Sequence, residues 1–388
     1  MTRDAVATRL MRSPVWAQAL VVYVLSRLLT LMIVASAAGH QGETPWNGPG
    51  GPSLIEYLNF WDAGWYERIW TEGYPAPLPL REDGSVAQNA WAFYPLYPWL
   101  VGALSSATGL DFQTLAVITS VVCTGAASVV ILYLFRKFAD PAQALTGLAF
   151  FLVFPATATL MAGYAEAMAI LFLALALLLI AQRRYLLAIP VVVLMDITRP
   201  IGVGFSFFML IHLLWRWLGP EPYPKREVIT SWTLGVLSCV AALLHPAFAW
   251  WKTGQFDAYT STESAWTGHS DVFIQWIDRA DRMAGPLGIV VFLALLALGA
   301  VILFTAPGKA MGHENRQFVL GYSVYLLLFF TPQTSTFRLL LPLFPLALVI
   351  ARPSSWTLRW VVVVASALLQ IWWVTALWSL GASPGSPP

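Results

Sequence analysis

Eleven apolar runs decide what this chain can fold into. They lie roughly at residues 15–38, 113–135, 142–161, 165–181, 186–198, 201–218, 228–250, 286–305, 317–330, 338–351 and 360–380. About 20 apolar residues in a helix cross the hydrocarbon core of a bilayer. Only helices and closed barrels satisfy their backbone in lipid. The expectation is an all-α polytopic membrane protein with about 11 transmembrane helices, forming a single membrane domain over residues 1–388. Composition agrees: 58% of the residues are hydrophobic and 11% are charged, against about 25% charged in a soluble domain.

Several runs are short. Those at 186–198 and 201–218 flank Thr198-Arg199-Pro200, and those at 317–330 and 338–351 flank Pro332 to Thr336. They read as broken or paired half-length helices, which survive at membrane depth when buried in protein or lining a cavity. Arg3, Arg9 and Arg12 precede the first run, and Ala35-Ser36-Ala37 looks loosely like a cleavage site. A signal core is about 7–15 residues, so the longer run at 15–38 reads as an uncleaved first span.

Charge orients the spans. Residues 92–108 are ambiguous, and counting them as a span would place Arg136/Lys137 and Arg183/Arg184 outside, against the positive-inside rule. Kept outside, they leave 14 of the 22 Lys and Arg residues in the cytoplasm. The N-terminus is then cytoplasmic. Residues 39–112 form a large outer loop with two surface-lying juxtamembrane segments, and residues 251–285 form a second. Both loops are acidic. Asp257, Glu263, Asp271, Asp278 and Asp281 of the second read as a solvated face.

Other classes are excluded. Net charge is +2 with no basic block, so nucleic acid is not a partner. No Walker A or strand–GxGxxG–helix motif is present. The two cysteines, Cys123 and Cys239, sit in apolar runs as packing residues.

The stretch Asn59 to Arg68 concentrates aromatic residues around one carboxylate, Asp62. Read as a helix, it aligns Leu54, Leu58, Trp61, Trp65 and Ile69 on one apolar stripe. Trp and Tyr favour the membrane–water boundary, so the helix should lie on the membrane surface. The plainer reading makes Asp62 a helix cap.

Ionisable residues within membrane segments are functional candidates. Arg27, Glu166, Asp196, Arg199, His245 and Arg338 qualify, and most fall toward the outer half with Asp62. Plainer readings exist for each: a snorkelling Arg338, an Asp196–Arg199 ion pair three residues apart, a capping Glu166, a core His245. Together, however, the arginines suit a phosphate through their planar fork of donors, and a carboxylate on the same side suits a general base. That is the chemistry of sugar transfer from a polyprenyl phosphate. The sugar is already activated, no nucleotide site is needed, and arginines can neutralise the leaving group. No metal and no cofactor are expected; no Asp-x-Asp pair is present.

These landmarks resemble a known family. Trp61-Asp62-Ala63-Gly64-Trp65-Tyr66 with Gly73-Tyr74-Pro75, then Phe93-Tyr94-Pro95-Leu96-Tyr97-Pro98, Tyr164-Ala165-Glu166 and Thr198-Arg199-Pro200-Ile201-Gly202 follow the signature order of the PIG-V type. That is the second mannosyltransferase of GPI-anchor assembly and its prokaryotic relatives, within the GT-C membrane glycosyltransferases. The resemblance implies inverting transfer of mannose from a polyprenyl-phosphate-mannose donor to a lipid-linked acceptor on the outer face of the cell membrane. It implies Asp62 as the catalytic residue. On this reading Arg199 and Arg338 hold the donor phosphate. Trp61, Trp65, Tyr66, Tyr94, Tyr97, Tyr164, Glu166 and His245 contact substrate.

Two departures bear on the acceptor. Arg199-Pro200-Ile201-Gly202 stands where the family has an Arg-Ser-Asn-Gly type segment, so the acceptor can differ from a GPI precursor. Ala63 follows Asp62 where protein O-mannosyltransferases have an Asp-Glu pair, which argues against a protein acceptor. The competing class is a transporter or lipid flippase, which also uses broken helices and intramembrane charge. Against it stand the absence of a repeat between the two halves and a long acidic loop.

Overall fold

The structure, a computed structural model, describes residues 11–44, 47, 51–267, 273–353 and 355–381. Arg3, Arg9 and Asp271 lie outside the described residues. The described residues are almost wholly helical, and their one strand-like pairing is an isolated bridge between Leu80 and Val86.

The first apolar run forms α1 (Val15–His40). The large loop that follows contains three short helices: α2 (Leu54–Leu58), α3 (Ala63–Thr71) and α4 (Leu96–Thr108). At 13 residues, α4 rises only about 20 Å, too short to cross a bilayer, and it packs on α3.

The core comprises α5 (Phe112–Phe135), α6 (Pro141–Leu152), α7 (Glu166–Ala181), α8 (Tyr185–Asp196) and α9 (Gly202–Leu218). Residues α10 (Lys225–Ala242) and α11 (Leu244–Thr253) follow as one bent element, then α12 (Ala258–Thr267). The chain continues through α13 (Ile274–Phe304), α14 (His313–Phe329), the short turns α15 (Thr336–Leu339) and α16 (Ala347–Ile350), and α17 (Trp356–Trp373). Within this bundle α5 packs along α7, and α9 along α14.

Not every one of the eleven apolar runs forms a helix of full spanning length. Five described helices are long and apolar enough to cross a membrane: Val15–His40, Phe112–Phe135, Lys225–Thr253, Ile274–Phe304 and Trp356–Trp378. The run at 142–161 is α6 joined to a 3-10 turn, Pro155–Met161, with a bend of 76°. Pro155 breaks it, because proline disfavours helix at the preceding residue and lacks an N–H. The remaining apolar helices are shorter, as the half-length readings anticipated for 186–198 and 338–351.

That bend also explains Arg27. Its buried guanidinium donates to the Leu152 carbonyl at 2.5 Å and the Thr157 carbonyl at 2.9 Å. Carbonyls freed at a broken helix must find partners inside a bilayer. Gln370 supplies another, donating to the Phe154 carbonyl. Arg27 is thus a backbone clamp placed away from the candidate site.

Candidate active site

The segment carrying Asp62 is not one helix. Ser53 and Glu56 form a reciprocal capping box that starts α2. The helix stops at Asn59, and Trp61 takes a left-handed backbone with φ of 62°. A bulky residue there is costly unless its surroundings enforce it. They do: the Trp61 indole donates to the Trp378 carbonyl at 2.7 Å, and the Trp378 indole donates to the Tyr57 carbonyl at 2.9 Å. The surface-helix reading therefore fails at 59–62. The apolar residues turn inward, with Leu58 and Ile69 buried.

Asp62 immediately precedes α3, at its N-cap position, but makes no side-chain capping bond. Its carboxylate instead accepts from Arg338 Nη2 at 2.8 Å. Arg338 Nη1 donates to Glu166 Oε1 at 3.0 Å, and Arg199 Nη2 reaches the same oxygen at 3.1 Å. Arg199 Nη1 also donates to the Tyr66 hydroxyl at 3.4 Å. Four charges from four separate parts of the chain thus form one line: Asp62, Arg338, Glu166, Arg199. Asp62, Glu166 and Arg338 are each buried. Arg338 does not snorkel. Glu166 is the first residue of α7, where a helix N-terminus favours negative charge.

Tyr164 holds this line in place. Its hydroxyl accepts from the Asp62 N–H at 3.0 Å and donates to the Phe60 carbonyl at 3.0 Å. The Arg338 guanidinium lies over its ring, 5.0 Å from the centroid, a cation–π contact. The preceding Gly163 approaches Asn59 so closely that a Cβ would lie 2.1 Å from Asn59 Oδ1. Only glycine lets the α7 lead-in pack against the Asp62 loop.

The line opens on a cavity of about 1360 Å³. Asp62, Glu166, Arg199 and Arg338 line it, with Trp61, Trp65 and Tyr94. Leu243, Ala247, Trp250, Leu326 and Phe329 give it an apolar wall from α10, α11 and α14.

The other sequence candidates lie behind this wall. Tyr66 and Tyr97 are fully buried, and Tyr97 donates to the Ala116 carbonyl at 2.8 Å. His245 Nε2 donates to the Trp91 carbonyl at 2.9 Å, and its ring packs on Tyr94 with centroids 4.1 Å apart. That is a core histidine. Asp196 does not pair with Arg199: its two carboxylate oxygens are buried without a hydrogen-bond partner, and Arg199 turns to Glu166.

Sequence reading missed α12. Tyr259, Glu263 and Trp266 all line the cavity, so Glu263 is not on a solvated face. Their spacing of four and three residues places them on one helical face, a signal present in the sequence. Burial pushes the Glu263 carboxyl up to about 7. Among the described residues, no group of three or more His, Cys, Asp or Glu side chains is arranged to hold a metal ion.

No family model matches the chain, and no curated protein matches it. Solved structures do. ArnT from Cupriavidus metallidurans, bound to undecaprenyl phosphate, aligns over 87% of this chain and 62% of its own, with a TM-score of 0.52 and 12% identity. The Archaeoglobus fulgidus oligosaccharyltransferase, in complex with Zn and sulfate, aligns over 94% of this chain and 54% of its own, with a TM-score of 0.50 and 12% identity. The chain therefore spans little more than half the length of either protein. The shared property is the fold.

Proposed function

We propose that this chain is an inverting glycosyltransferase. It moves mannose from a polyprenyl-phosphate-mannose donor to a lipid-linked acceptor at the outer face of the cell membrane, and works as one membrane domain. The observation that carries the reading is the Asp62–Arg338–Glu166–Arg199 line opening on a cavity with a charged end and an apolar wall. A polyprenyl phosphate has the same two-part character, and the solved ArnT structure holds undecaprenyl phosphate in this fold. Mannose and the inverting course rest on the sequence resemblance, and the outer face rests on the distribution of Lys and Arg.

The chemistry follows from the charges. The acceptor hydroxyl gives its proton to the Asp62 carboxylate and its oxygen attacks the anomeric carbon. The bond from that carbon to the phosphate oxygen breaks, and the electron pair leaves with the phosphate. Attack opposite the leaving group inverts the centre. The donor phosphodiester carries one negative charge and the released monoester carries up to two. Asp62 loses one negative charge as it takes the proton. Arg338, no longer balanced by Asp62, is then free to offset the phosphate. A guanidinium has five N–H donors, and Arg338 Nε has no partner among the described residues.

Asp62→Asn tests this. A positioned base contributes about 10²–10⁴ in rate, so the folded variant should lose transfer of labelled mannose to membrane lipid by that factor while still binding donor. A variant that turns over near the wild-type rate removes Asp62 as the base.

A further inference from the structure

The loop that carries Asp62 is held from two sides. On the first, the Gly163 N–H donates to the Leu58 carbonyl at 3.0 Å, and the Tyr164 hydroxyl joins the Asp62 N–H to the Phe60 carbonyl. The second hold comes from beyond α17, which does not end as an ordinary helix. It runs into a π-helical turn, Val374–Trp378, closed by the Ser379 N–H on the Val374 carbonyl at 3.1 Å. Such wide turns are rare and recur at functional sites. Ser379 is extended, with φ −61° and ψ 142°. The chain leaves the helix there, and the Trp378 carbonyl gains no helical partner.

This exit is bonded to the Asp62 loop and to the end of α1. The Trp378 carbonyl accepts from Trp61 Nε1 at 2.7 Å, and Trp378 Nε1 donates to the Tyr57 carbonyl at 2.9 Å. The Tyr57 hydroxyl and Ser379 Oγ share a hydrogen bond of 2.8 Å. Gln41, which follows α1, clasps Leu380: its amide donates to the Leu380 carbonyl at 3.0 Å, and its Oε1 accepts from the Leu380 N–H at 2.9 Å. The Trp378 ring packs on Tyr164 with centroids 5.3 Å apart. Trp61 and Leu380 line the cavity, whereas Gln41, Tyr57, Trp378 and Ser379 do not.

The effect falls one residue before the base. Trp61 has φ of 62°, a region that a residue with a bulky side chain leaves unless it is held. The torsions of Trp61 set the direction in which the chain presents Asp62. We propose that Trp378 is a positioning residue for transfer: with Ser379 and Leu380 it latches Trp61 in the left-handed region and thereby aims the Asp62 carboxylate at the acceptor hydroxyl. The inference rests on the transfer reading above and adds to it a residue outside the cavity. Tyr164 fixes the Asp62 N–H; the latch fixes the torsion that precedes it.

The test uses the full chain in lipid nanodiscs. Trp378→Phe keeps a ring against Tyr164 and removes the N–H that the Tyr57 carbonyl accepts. Tyr57→Phe is the milder variant and removes only the bond to Ser379. Transfer of labelled mannose from polyprenyl-phosphate-mannose to membrane lipid is measured beside a thermal-shift check of folding. The kcat of folded Trp378→Phe should fall about tenfold, and that of Tyr57→Phe less, as expected for a base moved by a fraction of the 1 Å that costs about 10². Donor KM should stay within about twofold of wild type, because Arg199, Arg338 and the cavity wall are untouched. Wild-type kcat in both folded variants, or a loss carried by donor KM, overturns the proposal. Trp61→Phe removes the other indole N–H of the latch. Combined with Trp378→Phe it should be no slower than the slower single variant by more than about twofold, since the two act on one element. Effects that multiply overturn the route through Trp61.

Hydrogen exchange of the backbone over 57–66, read by mass spectrometry, needs no transfer. It should quicken in Trp378→Phe as the Asp62 N–H loses its fixed place. If wild type transfers no mannose but exchange quickens in the variant, the transfer reading falls and the latch stands as the hold on this loop. If wild type transfers, and neither exchange nor kcat moves in the variants, the transfer reading stands and the latch falls.

Discussion

Both ends of α7 carry buried arginine–glutamate networks, yet only one faces a cavity. At its start, Glu166 joins Arg338, Arg199 and, through Arg338, Asp62. Beyond its other end, Arg183 and Arg216 engage Glu221, Glu227 and Glu314. In that second network Arg216 donates to Glu221 at 2.8 Å, to the Pro222 carbonyl at 2.7 Å and to Glu227 at 3.0 Å. His212 bridges the Tyr185 hydroxyl and Gln317. None of these residues lines the cavity. The network ties the loop after α9 to α10 and α14. Buried charge alone therefore does not mark chemistry in this fold. What separates the two clusters is that the first opens onto space; both keep buried polar atoms without partners among the described residues, Glu166 Oε2 and Arg338 Nε in the first, Arg216 Nε and Gln317 Nε2 in the second.

Removing one arginine from each network should break them differently. Arg338→Ala strands the buried Asp62 carboxylate and leaves Glu166 to Arg199 alone. Breaking a buried pair by removing one partner costs roughly 3–5 kcal/mol, so the variant should melt well below wild type and lose transfer. Arg338→Lys restores one positive charge but not the fork that bridges two carboxylates. It should recover most of the thermal stability and little of the transfer, with donor binding weakened more than acceptor binding. If donor and acceptor binding weaken equally, the phosphate role of Arg338 goes, and with it the functional half of the comparison.

Arg216→Ala should destabilise through the same kind of loss, moderated because Glu221 is about half exposed and water can solvate it. The purified, folded variant should transfer at a rate within about twofold of wild type, because Arg216 touches no residue of the cavity. A thermal-shift measurement beside a single-turnover rate separates the two effects. A large fall in rate at unchanged fold would mean that the far network is coupled to the site along α7.

How much of this was legible in the sequence follows from range. The helical class and the breaks in the apolar runs come from local composition, which acts within a helix length. The broken helix at 59–62 was hidden because apolar spacing is helical on both sides of it. Only contacts with Trp378, more than 300 residues away, hold Trp61 at positive φ. Asp62, Arg199, Glu166 and Arg338 could be named as candidates from their rarity in apolar sequence. Their pairing could not, since Asp196 is nearer to Arg199 in sequence and takes no part. Asp196 keeps two buried oxygens without partners among the described residues; its carboxylate packs against Gly202, the first residue of α9, where a helix N-terminus favours negative charge. Of the motif's aromatic residues, Trp61, Trp65 and Tyr94 line the cavity, whereas Tyr66, Tyr97, Tyr164 and His245 do not. A motif records residues that build a site as readily as residues that touch a ligand.

The smallest effect concerns pH and separates Glu263 from the charged line beside it. Burial raises the Glu263 carboxyl to about 7, against the opposing pull of the Tyr259 hydrogen bond and Arg199. Tyr94, Tyr259 and Tyr325 all lie close enough to feel its charge. Burial pushes the Tyr94 and Tyr259 phenols upward, so below pH 9 Glu263 is the group of this patch that changes charge. Glu263 lines the cavity beside the charged line, so transfer by wild type should change by up to about tenfold between pH 8 and pH 6 as that carboxyl binds one proton near pH 7. Glu263→Gln, neutral throughout, should hold the low-pH rate across this range, whereas Arg216→Ala should leave the wild-type profile unchanged. A wild-type profile that is flat over this range, or one that keeps its slope in Glu263→Gln, assigns the dependence to another group and separates Glu263 from transfer.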